Sequence, residues 1–286
     1  MEDTRKGIYS LVVPGDKVQG DLADQLRRQV LLDYTGTVFR KEVPPTDRPI
    51  RGPFGEATIE LAPGAQPIKQ RAFHMHGERG EALGKLIDQY VREGKLEPGK
   101  GPWSSPAFPV PKKKPGEYRL VVDHRALNSL TVPDAHPLPL IEELIHEQSQ
   151  YKMWSVLDMK DGYHQIPLKK EDRPYTCMST PRGTYQWKVL VLGLRNGGAI
   201  FQRTMEWVLR GLKGVSVYID DVVVGSMGDT YEECLRNHDK KLMEVLENLK
   251  ENMLIVDPKK VHLFTKKVEF CGQIVKEGKR EPAPGK

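Results

Sequence analysis

Three aspartates stand where apolar, strand-forming runs of the sequence end or break. Asp158 lies at the end of the run 153–159, and Asp220 and Asp221 interrupt the β-rich run 215–224. Carboxylates a few ångströms apart repel one another, so they must share protons or be held by cations. Oxygen ligands without histidine or cysteine favour Mg²⁺, which also takes ligands from substrate phosphates.

Two such ions about 3.5–4 Å apart would stabilise both the attacking and the leaving oxygen of a phosphoryl transfer. The three aspartates therefore predict a nucleotidyl-transfer site that uses two Mg²⁺ ions, with Mn²⁺ as a substitute. The alternative is that Asp220 and Asp221 occupy an ordinary solvated turn. The apolar β runs on both sides of the pair argue against that alternative.

The elements that must position the aspartates lie between 153 and 275. The strand that ends at Asp158 is followed by a helix that Asn196 can cap, and 215–224 is interpreted as two strands joined by a tight turn. A long helix and a further strand at 268–275 come next. The inward residues of the long helix are predicted to be Leu235, Leu242, Leu246, Leu249 and Met253. This order is that of a split βαβ sheet with two helices on one face, which places the end of the first strand beside the turn.

The first part of the chain is less regular. Helical spacing predicts a short helix that Gly36 ends, a Pro-rich linker follows at 43–53, and residues 58–61 alternate like a strand. An amphipathic helix is predicted to end at Gly94, and 118–122 is predicted as a strand.

Composition favours a polyanionic partner only modestly, because 44 Lys and Arg against 39 Asp and Glu give a net charge of +5. Basic residues concentrate at 95–125, which suits phosphate but equally suits a solvated loop. The three cysteines are too few and too far apart for a zinc site or a disulfide framework. With no long apolar run and no secretory signal, we expect a cytoplasmic protein that does not bind membranes.

Beyond the aspartates, a collinear series of motifs resembles reverse transcriptases, and most closely those of gypsy-type LTR retrotransposons. Residues 155–165, Ser-Val-Leu-Asp-Met-Lys-Asp-Gly-Tyr-His-Gln, and 218–222, Tyr-Ile-Asp-Asp-Val, look like motifs A and C of that family. The other matching segments follow in the same order: 61–67, 103–106, 118–128, 137–139, 201–202, 258–260 and 268–272.

The resemblance implies an α+β fold with the fingers and palm of a right-hand polymerase, the palm having a ferredoxin-like antiparallel sheet with helices on one face. The expected divisions are an N-terminal linker and lead-in segment at 1–64, mainly fingers at 65–152, palm at 153–275 with a fingers insertion at about 170–195, and a C-terminal tail at 276–286. We therefore expect a fragment of a polyprotein in which the thumb, ribonuclease H and integrase domains are missing. For a retrotransposon protein, a virus-like particle or the nucleus is an alternative to the cytoplasm.

Carried over residue by residue, the resemblance assigns Asp158, Asp220 and Asp221 as catalytic metal ligands. The backbone carbonyl of Met159 is a candidate further ligand. Lys260 aligns with the lysine that protonates the leaving pyrophosphate in the family's proposed chemistry, although a solvated charge is an equal alternative.

The resemblance also assigns nucleotide-binding residues. Arg119 matches the arginine that lies over the incoming triphosphate, and Tyr163 matches the aromatic that excludes a ribose 2′-hydroxyl. Without the resemblance, Arg119 would be an exposed strand residue and Tyr163 a core aromatic. The lysine that meets the γ-phosphate falls within 112–114, and Lys113 stands at the centre of these candidates.

One segment departs from the family pattern. Residues 189–198 read Val-Leu-Val-Leu-Gly-Leu-Arg-Asn-Gly-Gly, where the family usually has Met-Pro-Phe-Gly-Leu-x-Asn-Ala-Pro. Leu192 stands where an aromatic or a glutamine would line the nucleotide pocket. The two glycines make the start of the next helix less stable by roughly 1 kcal/mol each.

The hairpin that grips the primer end is matched by Phe270, Cys271 and Gly272.

The leading prediction is an RNA-directed DNA polymerase that extends a primer on an RNA or DNA template with deoxynucleoside triphosphates. The alternative is an inactive or repurposed nucleic-acid-binding remnant, which the altered segment 189–198 would explain. A related palm enzyme that makes RNA is disfavoured by Tyr163 and by the Tyr-x-Asp-Asp sequence at 218–221.

Overall fold

The computed structural model describes residues 19–43, 50–112 and 114–283. The α-helices are α1 Asp21–Tyr34, α2 Gly77–Arg92, α3 Arg125–Leu130, α4 Ile141–Gln148, α5 Gly197–Val208 and α6 Tyr231–Glu251. The strands are β1 Leu96–Pro98, β2 Ser105–Pro111, β3 Tyr118–Val122, β4 Met153–Asp158, β5 Met178–Thr180, β6 Gly183–Trp187, β7 Val215–Tyr218, β8 Asp221–Ser226, β9 His262–Thr265, β10 Lys267–Phe270, β11 Gln273–Lys276 and β12 Lys279–Pro282. Short 3₁₀ turns cover Gly162–Gln165 and Arg173–Thr176.

The chain divides into two compact units. Unit one consists of Met1–Val43, Pro137–Gly162 and Gln202–Lys286, and unit two consists of Pro44–His136 and Tyr163–Phe201. The chain therefore passes between the units several times, as an insertion of one subdomain into another requires. The boundaries of fingers and palm given above stay predictions.

Unit one is built on a four-stranded antiparallel sheet with the order β7-β8-β4-β9. Helix α5 precedes β7 and helix α6 precedes β9, so the sheet has the split βαβ element order that the sequence predicted. Its last strand is β9, however, and not the predicted strand 268–275, which belongs to a second sheet. Helix α6 packs its apolar side on β4 and β8, and that side includes Leu235, Leu242 and Leu246. The palm-type sheet is thus present with the strand order that places Asp158 next to the β7–β8 turn.

The opposite face of this sheet is covered by α4 and by a second, three-stranded sheet, β10-β11-β12. Trp154 and Val223 of the first sheet pack there with Val268, Phe270 and Val275. Because side chains alternate along a strand, Ser155 points to the other side and contacts α6. Both faces of the sheet are therefore buried in its middle.

The structure differs from the sequence predictions at the C-terminal end of unit one. Residues 268–275, predicted as one strand, form the hairpin β10–β11, because Cys271 and Gly272 both have positive φ, 49° and 76°, and reverse the chain. Within the expected tail 276–286, Lys279–Pro282 pairs with β11 as strand β12. Met253, expected on the buried side of α6, lies after the end of the helix and is 46% exposed.

Unit two contains a five-stranded sheet with the order β1-β6-β5-β2-β3, in which only the β2–β5 pair is parallel. Helix α2 packs on it through Leu83 and Ile87, and Gly94 ends that helix in a left-handed conformation, as predicted. The predicted strand 58–61 is wrong: isolated bridges at Ala57 and Leu61 take its place. Among the described residues, no helix has both the length and the apolar character that a bilayer crossing requires.

Candidate active site

The two aspartates at 220 and 221 lie on the turn of the β7–β8 hairpin. Tyr218 pairs with Asp221, so Ile219 and Asp220 form a two-residue turn between the strands. Ile219 has φ 52°, a left-handed conformation that costs a β-branched residue about 1 kcal/mol or more. Something outside the turn must therefore hold it in this shape.

Gln202 of helix α5 holds the turn. Its side chain is fully buried, its Oε1 accepts a hydrogen bond from the Ile219 N–H at 2.7 Å, and its Nε2 donates to the Val217 carbonyl at 2.9 Å. One amide group thus satisfies a donor and an acceptor on either side of Tyr218. Gln202 was not among the residues predicted to have a functional role, and its only signal in the sequence is its place in the matching pair 201–202.

Asp158 lies directly beside this turn. It pairs with Asp221 across β4 and β8, and residues directly opposite in an antiparallel pair share one face of the sheet. The N–H of Met159 donates to the carbonyl of Asp220 at 3.0 Å, which fixes the end of β4 to the turn. The topology predicted this adjacency, and the register confirms it for the backbone.

Lys260 reaches the same place from a distant part of the sequence. Its Nζ lies 3.2 Å from both Oδ1 and Oδ2 of Asp158. The turn that carries Lys260 is itself attached to the strand, because Asp257 donates its N–H to the Asp158 carbonyl at 2.9 Å and accepts from the Lys260 N–H at 3.0 Å. The contact with Asp158 favours a site residue over the solvated-lysine alternative.

Burial and mutual repulsion perturb the carboxylates. Burial raises the pKa of Asp158, against the opposing effect of Lys260. Burial, followed by the charges of Asp158 and Asp221, raises the pKa of Asp220 to about 6. Asp220 Oδ1 is buried and has no hydrogen-bond partner among the described residues. A buried anionic oxygen without a donor is the kind of atom that a cation would stabilise.

Whether the site suits a divalent metal depends on the carboxylate oxygens of Asp158, Asp220 and Asp221. In the part of the chain that the structure describes, no group of three or more His, Cys, Asp or Glu side chains is arranged closely enough to hold a metal ion. The donor chemistry nevertheless suits Mg²⁺, which binds through one or two carboxylates and fills its octahedron with water and substrate phosphate. Asp158, Asp220 and Asp221 are the residues that would hold it, and the carbonyl of Met159 stays a predicted further ligand.

The predicted nucleotide-binding residues belong to unit two. Arg119 is exposed on β3, opposite Val110 of β2. The ring of Tyr163 stacks on Phe201 with centroids 5.3 Å apart and planes 8° apart. Leu192 is 71% exposed. Their roles stay predictions.

The γ-phosphate lysine also stays a prediction. Lys113 lies outside the described residues, whereas Lys114 pairs with Glu117 at 2.7 Å. In the predicted primer grip of unit one, Phe270 is buried and its neighbours Cys271 and Gly272 form the hairpin turn.

Residues 110–275 match the family described as reverse transcriptase (RNA-dependent DNA polymerase). The chain belongs to the reverse transcriptase family. Its similarity extends to retroelement polyproteins: it is 39% identical to the retrovirus-related Pol polyprotein from transposon opus of Drosophila melanogaster, over 95% of this chain and 28% of that protein. It is 32% identical to the Pol polyprotein from transposon gypsy of the same organism, over 77% of this chain and 21% of that protein.

An enzymatic polyprotein of cauliflower mosaic virus (strain Strasbourg) is 32% identical over 79% of this chain and 33% of its own length. The chain thus spans a third or less of the length of these relatives. Among solved structures, the foamy viral protease-reverse transcriptase in complex with dsDNA matches with a TM-score of 0.79 at 23% identity, over 99% of this chain and 56% of that chain. The same protein in complex with RNA/DNA hybrid also gives 0.79, at 22% identity over 99% and 36%. These likenesses show a common fold.

Proposed function

We propose that this chain carries the polymerase core of a gypsy-like retrotransposon reverse transcriptase and extends a primer with deoxynucleotides. The observation that carries the proposal is the sheet register, which sets Asp158 opposite Asp221 with the half-buried Asp220 on the adjoining turn. Membership of the reverse transcriptase family supports reading these carboxylates as a nucleotidyl-transfer site.

The acidic residues are proposed to hold two Mg²⁺ ions, with Mn²⁺ as a substitute. Bound ions of this kind supply charge stabilisation to the attacking primer 3′-oxygen and to the leaving pyrophosphate. Asp158 and Asp221 offer carboxylates from neighbouring strands, and Gln202 fixes the turn that carries Asp220. Lys260 is a candidate general acid, because its ammonium already lies at the carboxylate of Asp158.

The proposed partners are an RNA or DNA template with its primer and deoxynucleoside triphosphates. The foamy viral relatives were solved with dsDNA and with RNA/DNA hybrid, which supports a nucleic-acid duplex as the partner of this fold. Arg119 supplies a permanent charge for a triphosphate. Stacking on Phe201 restricts the ring of Tyr163, as the exclusion of a 2′-hydroxyl requires.

Primer extension on an RNA template tests the proposal. The wild-type chain should extend the primer with deoxynucleotides in the presence of Mg²⁺, and Asp220→Asn should lower the rate by about 100-fold or more, since several kcal/mol of charge stabilisation is lost. Asp229→Asn is the matched control: it removes the same charge from an exposed position just after β8 and should leave the rate unchanged. Absence of incorporation by folded wild-type protein with either metal would refute the proposal.

A nucleic-acid-binding remnant is the second candidate function, and the exposed Leu192 in the altered segment favours it. This candidate requires duplex binding that weakens steeply with salt and no incorporation of nucleotide under any metal condition. Replacing Leu192 with Phe would then restore no extension, whereas an active enzyme with a weakened pocket should gain affinity for the deoxynucleotide.

A further inference from the structure

Lys260 and Asp158 form a pair with a specific geometry. The ammonium lies 3.2 Å from each carboxylate oxygen, so it is placed between them rather than against one of them. A cation that used both oxygens of Asp158 would occupy this same side of the carboxylate. Two cations in contact with the same two oxygens repel each other strongly at such a distance.

The backbone builds this geometry. Asp257 receives the N–H of Lys260, its Oδ1 accepts the N–H of Lys259 at 3.0 Å, and its own N–H donates to Asp158. The base of the lysine is therefore fixed a short distance from the carboxylate. Only a change in the side-chain conformation of Lys260 is needed to move its ammonium from the carboxylate into solvent.

The two partners differ in freedom. The Lys260 side chain is 62% exposed, whereas that of Asp158 is 20% exposed. The lysine can swing into solvent at little packing cost, while the aspartate stays on its strand. When the pair opens, it is therefore Lys260 that moves.

We propose that Lys260 is a built-in counter-cation of Asp158, which competes with a divalent ion for this carboxylate and swings aside when the ion binds. The inference rests on the proposed role of Asp158 as a metal ligand. In this role Lys260 acts before any chemistry takes place. Its ammonium keeps Asp158 charged and oriented, and it sets the metal concentration at which the site fills. Its fixed base then keeps the ammonium near the site.

The test measures Mn²⁺ binding to the chain without nucleotide or nucleic acid, by electron paramagnetic resonance at constant ionic strength. Lys260→Gln should bind Mn²⁺ about 2- to 5-fold more tightly than wild type, the range expected for loss of one partly exposed ion pair. Lys259→Gln is the matched control, because the neighbouring residue loses the same charge and the Asp257 turn keeps its backbone bonds. Lys260→Arg keeps a cation and should behave like wild type.

A second comparison assigns the effect to the carboxylate. With Asp158→Asn in the background, Lys260→Gln should no longer change Mn²⁺ affinity, because the oxygens for which the lysine competes have lost their charge. If Lys260→Gln lowers the melting temperature, Lys260→Met, which keeps the aliphatic stem, replaces it in the same titration.

The outcomes separate the two proposals. Equal Mn²⁺ affinity for Lys260→Gln and Lys259→Gln would overturn the counter-cation role, even if the wild-type chain extends primers. Tighter binding by Lys260→Gln alone would support that role, even if no primer is extended and the polymerase proposal fails. No measurable Mn²⁺ binding by either folded variant at millimolar metal would also overturn the inference.

Discussion

Each of the two units buries one histidine almost completely, and the two rings differ in their hydrogen-bond partners. In unit one, His238 of α6 contacts the Ser155 hydroxyl through Nε2 at 2.7 Å and the Ser226 hydroxyl through Nδ1 at 3.0 Å. In unit two, His124 precedes α3, and neither of its ring nitrogens has a hydrogen-bond partner among the described residues. Burial lowers the pKa of His238 to about 3 and that of His124 to about 4, so both rings are neutral in the folded protein at pH 7.

The difference lies in the hydrogen-bond partners that surround each ring. A neutral imidazole has one donor and one acceptor nitrogen, so His238 can satisfy both serines at once. Ser155 belongs to β4 and Ser226 to β8, the strands that also carry Asp158 and Asp221. His238 therefore joins the two strands of unit one through a buried contact with both serines, whereas the buried ring in unit two makes no hydrogen bond to a described residue.

His238→Phe should have the largest effect on stability. It leaves two buried serine hydroxyls without their shared partner and places a larger ring beside Phe264, which packs edge-on at 5.0 Å. We expect the free energy of unfolding to fall by about 2–4 kcal/mol, since unsatisfied buried groups and overpacking both contribute. Urea unfolding followed by circular dichroism measures it. Wild-type stability in this variant would show that the serine contacts do not hold the strands together.

His124→Phe, the same substitution in unit two, should act in the opposite direction. It replaces two buried nitrogens that lack partners with carbon, a gain that is reduced by packing the larger ring into a buried site, so we expect the free energy of unfolding to rise by up to about 1 kcal/mol at neutral pH. The same urea experiment checks it. A loss of stability comparable to that of His238→Phe would remove the contrast between the units.

The pH dependence sharpens the same prediction. The pKa of His124 is depressed in the folded state, so the unfolded chain binds more protons below the ordinary value near 6.5. Wild-type stability is therefore lost as pH falls from 6.5 towards 4. The advantage of His124→Phe should grow in this window, by up to about 1.4 kcal/mol per pH unit, and should be constant above pH 7.

The parts of the fold that the sequence predicted are those fixed by local rules. Strand β4, the β7–β8 hairpin and helix α6 follow from apolar periodicity and from the aspartate pair that breaks a β-rich run. The contact between Asp158 and the hairpin follows from the topology of a split βαβ sheet, which leaves few alternatives once the element order is known.

The parts that could not be predicted depend on distant residues. The resemblance named Lys260 through the segment 258–260, but its contact with Asp158 spans 102 positions of sequence and no local pattern predicts it. Gln202 holds the turn at Ile219 through hydrogen bonds made from a buried position, and the sequence alone does not show that this glutamine is buried. The apolar pattern alone predicts one strand at 268–275, and only the family resemblance pointed to a hairpin at Cys271, where the left-handed backbone of two residues divides the run.

The smallest effect concerns the two glycines that open α5, and it probes the packing of unit two around Tyr163. A Cβ on Gly198 would meet the Tyr163 hydroxyl at 3.6 Å, an ordinary contact, whereas one on Gly197 would meet the Tyr163 ring at 3.0 Å. Alanine restricts the unfolded chain in both cases. We therefore expect Gly198→Ala to raise the free energy of unfolding by about 0.5–1 kcal/mol and Gly197→Ala to raise it less.

Both alanine variants gain the same unfolded-state entropy, so this gain cancels when they are compared in one urea series. The remaining difference in their free energies of unfolding reports the space beside the Tyr163 ring. Because Tyr163 is stacked on Phe201, it can yield to a Cβ at 197 only by giving up part of that stacking. Equal gains from both variants would mean that the ring moves freely. A mobile ring would exclude a 2′-hydroxyl poorly, so that result would also predict weak discrimination between deoxy- and ribonucleotides in the extension assay.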